Sequence, residues 1–400
     1  MSIAPTISST SAFVMQSGGS ETALTWACSR SCRRACPTHG SEVQSARCPT
    51  VRRTDDRTRG TSAMPDASPS FQLADADVEF FNRELASFVP DRVFDSHLHL
   101  GRRSDYAPMH QKLVANTPEV ADMPTYRAHM EWLAPGRRLV GGLVLPTTLA
   151  GERMDEGNAR AAEEARRDAG STSAVIVHPD MTADKLRLDI ETHKPAALKP
   201  YHLMSARRPT GDSHMNEFLP EHTVAVADEY GLPVVMHMVR ARALADPSNQ
   251  QMIRDYCTKY PKMKMVLAHC ARGFNPSHTA DGIESLVGLE NVYFDNSCNC
   301  EAGAHIAILR AFGPDRLMWG SDYPFSNMRG KCVAFNDSFT WFYDCDHDLG
   351  PYSIDANQKF TLVGLECLRA LKFACMACGL SNSQVEDVFY NNAVRLYGRS

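Results

Sequence analysis

Long apolar runs, an excess of positive charge and a glycine-rich dinucleotide motif are all missing from this 400-residue sequence. No apolar run approaches the roughly 20 residues that a membrane-spanning helix needs. The net charge of −5 gives no electrostatic reason to bind nucleic acid or an anionic membrane. The 43% apolar and 22% charged residues are typical of a globular enzyme with a full core. We therefore predict a soluble, cytoplasmic protein whose partner is a small molecule.

The thirteen cysteines fall into two groups. Nine are scattered from Cys257 onward, mostly within apolar sequence, and this favours buried free thiols over disulfides. The other four, which crowd the first fifty residues, include no Cys-x-x-Cys pair, so a zinc-binding knot is the weaker interpretation. These four are Cys28, Cys32, Cys36 and Cys48.

Residues 1–63 differ in composition from the rest of the chain. They contain eight arginines, no lysine and four acidic residues, with many serines and threonines and no sustained apolar period. We expect this leader to be disordered, because it holds too little apolar surface to form a core. An organelle transit peptide and an over-extended start before Met64 both fit this composition, and the sequence does not decide between them.

Eight short apolar or β-branched runs recur from residue 90 onward, and helical patterns separate most of them. They begin a few tens of residues apart, which is the size of a βα unit, so they predict an α/β fold: a (β/α)₈ TIM-type barrel over 90–400. An open doubly wound sheet is the alternative, but no Gly-x-Gly-x-x-Gly follows the first run. Two further helices are predicted at the C-terminus, over 361–379 and 381–397. The predicted strands are 92–99, 139–147, 174–178, 196–201, 233–238, 264–270, 291–296 and 316–322.

Histidine and aspartate side chains stand at the ends of four of these strands. His97 and His99 lie two residues apart in the first strand, so they face the same way and can bind one cation. His237, His269 and Asp322 end the fifth, sixth and eighth strands. Any one of these histidines could be a buried structural residue. Together they favour a metal site at the C-terminal face of the barrel, where such barrels carry their active sites.

This arrangement resembles the signature of the amidohydrolase superfamily. The sequences 320–325 (Gly-Ser-Asp-Tyr-Pro-Phe) and 392–398 (Asn-Ala-Val-Arg-Leu-Tyr-Gly) are similar to its amidohydrolase-related branch. That branch contains aminocarboxymuconate-semialdehyde decarboxylase, related decarboxylases, lactonases and other hydrolases. The likeness spans about 93–398. It indicates the superfamily more clearly than the reaction.

The resemblance implies a role for each of these polar residues. His97, His99, His237 and Asp322 are the implied ligands of one divalent ion, usually Zn²⁺. His269 and Asp322 are the implied catalytic residues, with His269 as a general base beside a metal-activated water. This is chemically coherent, because imidazole and carboxylate suit zinc, and histidine titrates in the working range of pH. Family habit also implies a homodimer.

Four other charged residues are candidates for contacts around this site. Asp95 is predicted to lie one step deeper on the first strand, where it either orients His97 or is a buried structural carboxylate. Lys199, near the end of the fourth strand, is a carboxylated bridge between two metals, as in binuclear members, a contact for a substrate carboxylate, or a member of a salt bridge. Arg240 and Arg272 are interpreted first as ordinary surface arginines, with clamps for a substrate carboxylate as the alternative.

Three functions are compatible with this sequence. The favoured one is a metal-dependent hydrolase that acts on a small, carboxylate-bearing substrate. A non-oxidative, metal-dependent decarboxylase, that is, a carbon–carbon lyase, is the alternative. A catalytically silent binding protein is the third, and the cost of burying five polar groups at strand ends counts against it.

Overall fold

A computed structural model describes residues 68–147, 153–345 and 359–398. The leader predicted over 1–63, together with its four cysteines, lies outside the described residues. Eight parallel strands and one short antiparallel strand form the main sheet. Its strands are β1 (Arg92–Arg102), β2 (Val120–Ala121), β3 (Arg138–Pro146), β4 (Thr172–Val177), β5 (Ala197–Pro200), β6 (Pro233–Met236), β7 (Lys264–Leu267), β8 (Val292–Asp295) and β9 (Leu317–Met318).

The sheet closes on itself between its last and first strands. Leu98 in β1 forms a parallel bridge with Tyr323, five residues past the end of β9. The backbone N–H of Ser96 also donates to the carbonyl of Trp319 at 3.1 Å. Since β2 only pairs with the outer end of β1, the eight parallel strands β1 and β3–β9 make the barrel. The predicted (β/α)₈ fold is confirmed.

Helices follow most of the barrel strands and cover them. Several begin at the capping residues that the sequence offers. Thr182, for example, accepts the backbone N–H of Lys185. The helices are α1 (Asp75–Phe80), α2 (Met123–Met130), α3 (Met154–Arg166), α4 (Ala183–His193), α5 (Glu221–Tyr230), α6 (Pro247–Lys259), α7 (Ala268–Arg272), α8 (Pro276–Gly282), α9 (Ala302–Phe312), α10 (Val363–Ala377), α11 (Asn382–Glu386) and α12 (Asn392–Tyr397).

Three clusters of apolar side chains pack the described residues, and two of them build the barrel. The larger one lies between the strands and the helices. The smaller one joins side chains from seven barrel strands, including Phe94, Leu143, Val235 and Met318, and forms the interior of the barrel. Tyr397 of α12 is buried among them, so the C-terminal helix closes one end of the barrel.

The structure differs from the sequence-based prediction at several boundaries. Strands β6, β7 and β9 end sooner than predicted, so His237, His269 and Asp322 lie just beyond the sheet. His269 and Asp322 have φ angles of 57° and 60°, and this left-handed backbone ends strand pairing. The helix predicted over 381–397 is divided into α11 and α12 by a π-helical turn at Asp387–Asn391.

A β-hairpin that the prediction missed follows the last barrel strand. It consists of β10 (Gly330–Phe335) and β11 (Ser338–Tyr343), which pair antiparallel through a two-residue loop. The sequence did carry a signal for it, because Asn336 and Asp337 separate two six-residue runs with several aromatic residues. Within the described ranges, no helix combines the length and apolar character needed to cross a bilayer.

Candidate metal centre and active-site cavity

A cavity of about 310 Å³ opens at the carboxyl ends of the barrel strands. It brings together six of the nine side chains that the sequence analysis named as candidates for the site. The other three, Asp95, Arg240 and Arg272, are not among the residues that line the cavity. The six are His97, His99, Lys199, His237, His269 and Asp322.

Four aromatic side chains, here called the aromatic wall, form another part of the cavity lining. They are Phe274, Phe325, Trp341 and Tyr343, and the last two come from the hairpin strand β11. The rings of Trp341 and Phe274 pack edge to face with centroids 5.6 Å apart. The hairpin is thereby held against the loop that follows α7. The cavity can therefore contact an apolar or planar group through its aromatic wall and also presents imidazoles, an amine and a carboxylate.

Three of the polar side chains converge tightly enough to bind one ion. Asp322 Oδ1 lies 3.6 Å from His97 Nε2 and 3.4 Å from His99 Nε2, and the three ligand atoms all lie within 4.8 Å of one another. Tetrahedral Zn²⁺, with bonds of about 2.0–2.2 Å, separates neighbouring donor atoms by about 3.3–3.6 Å. The donor set of two imidazoles and one carboxylate therefore fits a divalent ion in both chemistry and spacing. His237 is not part of this tight group.

The ring of His97 is held by a carboxylate that the sequence analysis did not single out. Asp295, the last residue of β8, places Oδ2 3.0 Å from His97 Nδ1. Asp95, for which the sequence left open a role as this partner or as a buried structural carboxylate, accepts the backbone N–H of His97 and the side-chain hydroxyl of Tyr126. Strand β1 is irregular here, with a register shift against β3 between Asp95 and Leu98.

His269 and His237 form a chain of hydrogen bonds beside this group. His269 Nδ1 lies 2.9 Å from the carbonyl of Ser297, which can only accept, so Nδ1 carries the hydrogen. His269 Nε2 then accepts from His237 Nδ1, 3.0 Å away. Because Nδ1 of the neutral His237 ring carries the hydrogen, His237 Nε2 carries a lone pair. His269 also lies close to the carboxylate, with Nδ1 3.9 Å from Asp322 Oδ2.

Strained backbone holds His269 in place. The four residues His269–Arg272 all have left-handed φ angles, so α7 is a left-handed turn and not a regular right-handed helix. Such angles cost about 1–2 kcal/mol each for residues other than glycine. The hydroxyl of Thr279 donates to the carbonyl of Cys270 at 2.8 Å, and Gly273 N donates to the carbonyl of His269 at 2.8 Å. Strain of this kind is concentrated at functional sites, where the surrounding structure holds it.

Burial and neighbouring charges set the protonation states of the site. Burial lowers the pKa of His97 to about 4, despite the opposing charge of Asp295, and lowers that of His237 well below its usual value. Burial alone would raise the pKa of Asp322, but the hydrogen bond from His99 and the charge of His97 hold it well below its usual range. At neutral pH His97 and His237 are therefore neutral imidazoles and Asp322 is a carboxylate, which are the forms that bind metals.

Lys199 is buried in the cavity wall, and its Nζ has no hydrogen-bond partner among the described residues. Burial lowers the pKa of this amine to about 8. Its Nζ lies 5.7 Å from the centre of the Tyr201 ring. A buried amine without a protein partner is costly, so its position favours a ligand that supplies a negative charge.

The two arginines are occupied by contacts with the protein. Arg240 pairs with Asp246, with 2.7 Å between Nε and Oδ2. Arg272 donates from Nη1 to the carbonyl of Arg240 at 2.8 Å, and its guanidinium lies 5.3 Å from the centre of the Phe339 ring. Neither lines the cavity. The structure therefore offers Lys199, and not Arg240, as the cation for a bound substrate.

The cysteines from Cys257 onward are mostly buried. Seven of the nine lie inside the protein, as expected from their apolar sequence surroundings. Asp295 ends the seventh predicted strand, so the argument applied to His237, His269 and Asp322 would have found it. Trp341 and Tyr343 had no such signal, because no barrel strand carries them.

A closed (β/α)₈ barrel with a candidate metal centre at its mouth is the class of protein that the fold and the site define. The family model described as amidohydrolase matches residues 94–399. The chain therefore belongs to the amidohydrolase family, and the predicted membership of this enzyme superfamily is confirmed.

Individual proteins of known sequence or structure share only low sequence identity with this chain. The L-fucono-1,5-lactonase of Burkholderia ambifaria is 28% identical over 134 residues, which cover 30% of this chain and 46% of the lactonase. The matched stretch thus spans less than half of that relative. A crystal structure of an amidohydrolase from Burkholderia multivorans is similar, with a TM-score of 0.51, 16% identity, and coverage of 77% of this chain and 99% of that one. Another from Bifidobacterium longum subsp. infantis has a TM-score of 0.49 at 16% identity and covers 78% and 100%.

Proposed function

We propose that this protein is a metal-dependent hydrolase that opens an ester or lactone bond in a small, carboxylate-bearing substrate. The observation that carries the proposal is the convergence of His97, His99 and Asp322 beside His269 in one cavity. The partial likeness to a lactonase favours hydrolysis over decarboxylation. A metal-dependent decarboxylase of the same family remains the alternative.

His97, His99 and Asp322 would hold one divalent ion, with His237 Nε2 as a further donor. Zn²⁺ suits this donor set. When bound, such an ion supplies Lewis acidity, which polarises a carbonyl oxygen and acidifies water. His269 has its lone pair on Nε2, because Nδ1 donates to Ser297. That nitrogen accepts from His237 Nδ1 in the structure, so it would exchange this hydrogen bond for one from the attacking water, take the proton of the water and return it to the leaving oxygen.

The remaining residues of the cavity would bind and orient the substrate. The Lys199 ammonium would pair with the substrate carboxylate. The aromatic wall would contact the rest of the molecule and exclude water. Excluding water strengthens the charged contacts inside the site, because it lowers the local dielectric.

An assay that separates the reaction classes tests this proposal. The purified protein is stripped with a chelator, reconstituted with zinc, and offered five- and six-membered lactones with and without a carboxylate group, together with unsaturated carboxylic acids. We expect release of acid from the carboxylated lactones, without CO₂, only after zinc is restored. Release of CO₂ would instead establish the decarboxylase. A protein that binds these compounds without converting any of them would support a binding function.

Lys199→Met tests how the substrate is recognised. Charge-assisted hydrogen bonds contribute about 1.5–3 kcal/mol, so we expect KM for a carboxylated lactone to rise about 10- to 100-fold, with a smaller change in kcat. Because the wild-type ammonium loses its charge as pH rises through about 8, wild-type KM should also rise there, and the variant should lack this dependence.

The control for this variant is Lys264→Met, which removes a lysine at the opposite end of the barrel, in the first residue of β7. It should leave KM unchanged. The melting temperature of Lys199→Met should equal or exceed that of the wild type, because a buried amine without a protein partner is removed. An unchanged KM in Lys199→Met would exclude the proposed contact.

A further inference from the structure

Asp295 is a fully buried carboxylate that touches two histidines of the candidate site. Its Oδ2 atom lies 3.0 Å from His97 Nδ1. Its Oδ1 atom accepts the backbone N–H groups of His269, at 3.0 Å, and of Ser297, at 3.1 Å. The hydroxyl of Ser297 donates to the same oxygen. The carboxylate thus connects β1, which carries His97, to the strained turn that carries His269.

We infer that Asp295 is a positioning residue that determines which ring nitrogen of His97 faces the metal, an inference that rests on the proposed metal-dependent function. A carboxylate surrounded by donors accepts a hydrogen and does not supply one, so His97 Nδ1 carries the hydrogen. The lone pair is then on Nε2. This is the atom that lies 3.6 Å from Asp322 Oδ1, within the convergent donor group.

The surroundings of Oδ1 determine what an amide would do at this position. The two backbone N–H groups that point at Oδ1, those of His269 and Ser297, can only donate. An asparagine would therefore turn its carbonyl oxygen toward them and its NH₂ group toward His97. The NH₂ group would donate to Nδ1 and move the ring hydrogen onto Nε2. The nitrogen that the metal needs would then have no lone pair.

Asp95 offers a matched control, because it is equally buried and also touches His97. Its Oδ1 accepts the backbone N–H groups of His97, at 3.0 Å, and of Ser321, at 2.8 Å. Its Oδ2 receives only hydroxyl groups, from Tyr126 at 2.8 Å and from the Ser321 side chain. Hydroxyl groups accept as well as donate, so an asparagine would satisfy both sides. Asp95→Asn therefore removes a buried carboxylate without altering the His97 ring.

The experiment compares zinc binding by the wild type, Asp295→Asn and Asp95→Asn. Each protein is stripped of metal and titrated with zinc in competition with a chromophoric chelator, and circular dichroism confirms that it is folded. We expect the zinc affinity of Asp295→Asn to fall about 10- to 100-fold, which is the usual effect of losing such a partner, while Asp95→Asn stays close to the wild type.

A second measurement does not depend on whether Asp295→Asn folds. In metal-free wild-type protein labelled with ¹⁵N-histidine, the ring nitrogens of His97 should show the Nδ1–H tautomer. The His97 signals are identified by their absence in His97→Gln.

Three results would overturn the inference: an Nε2–H tautomer of His97, wild-type zinc affinity in Asp295→Asn, or equal losses in both asparagine variants, which would indicate damaged packing. A wild type that binds zinc but hydrolyses no lactone would refute the proposed function and leave the role of Asp295 standing. A wild type that binds no zinc would refute both.

Discussion

Replacing His97 and His99 together by alanine is expected to abolish metal binding. The wild type, grown in zinc-supplemented medium, should contain about one divalent ion per chain, since the convergent donor atoms are sufficient for one site. The double variant loses two of the three convergent donors, and Asp322 and His237 are too few to hold the ion. Elemental analysis of the purified proteins measures the difference.

Thermal unfolding provides an independent readout of the same site. An ion that binds only the folded state stabilises it by an amount that grows with ion concentration, so added zinc should raise the wild-type melting temperature and not that of the double variant. His110→Ala is the matched control. His110 lines the same cavity but is not part of the donor group, and this variant should keep the ion. A folded wild type that stays free of metal in zinc-supplemented medium would exclude the site.

Replacing His269 by alanine should reduce turnover without removing the metal ion, in contrast to the double variant, which loses the ion. We expect the variant to keep its ion and lose turnover by about 10²- to 10⁴-fold, the usual contribution of a general acid–base group. The reason is geometric. His269 Nδ1 is held by Ser297 and its Nε2 faces His237, so its ring is placed beside the donor group. Metal content and initial rates, measured on the same preparation, test both halves of the prediction.

Comparing the metal content of His237→Ala with that of His269→Ala shows which of the two histidines is a metal ligand. His237 Nε2 retains a lone pair in the hydrogen-bond chain, so we predict that His237→Ala releases the ion. If His269→Ala lost the metal instead, His269 would be a ligand. The two-metal alternative would then return, and Lys199 would have to be tested for carboxylation by mass spectrometry.

Most residues of the candidate site could be predicted from their positions at the ends of the predicted strands. His97, His99, Lys199, His237, His269 and Asp322 line one cavity because each lies near the carboxyl end of a parallel strand, and those ends meet at one face of a barrel. That argument needs only the order of strands along the chain. It did not extend to Arg240. This arginine follows β6 in a loop where the nearby Asp246 pairs with it, and a strand pattern carries no information about such loop contacts.

The sequence by itself determined the (β/α)₈ barrel, the family and the set of polar residues at its mouth. Apolar periodicity and strand-end positions are local properties, and they survive in the sequence whatever the details of packing. Only the tertiary structure decided that Asp295 rather than Asp95 holds the His97 ring, that His269 sits on a left-handed turn, and that a hairpin supplies an aromatic wall. Each of these depends on a register irregularity, a backbone angle or a contact between distant segments. Such features arise only when the strands pair, because they are set by contacts between residues up to 226 positions apart.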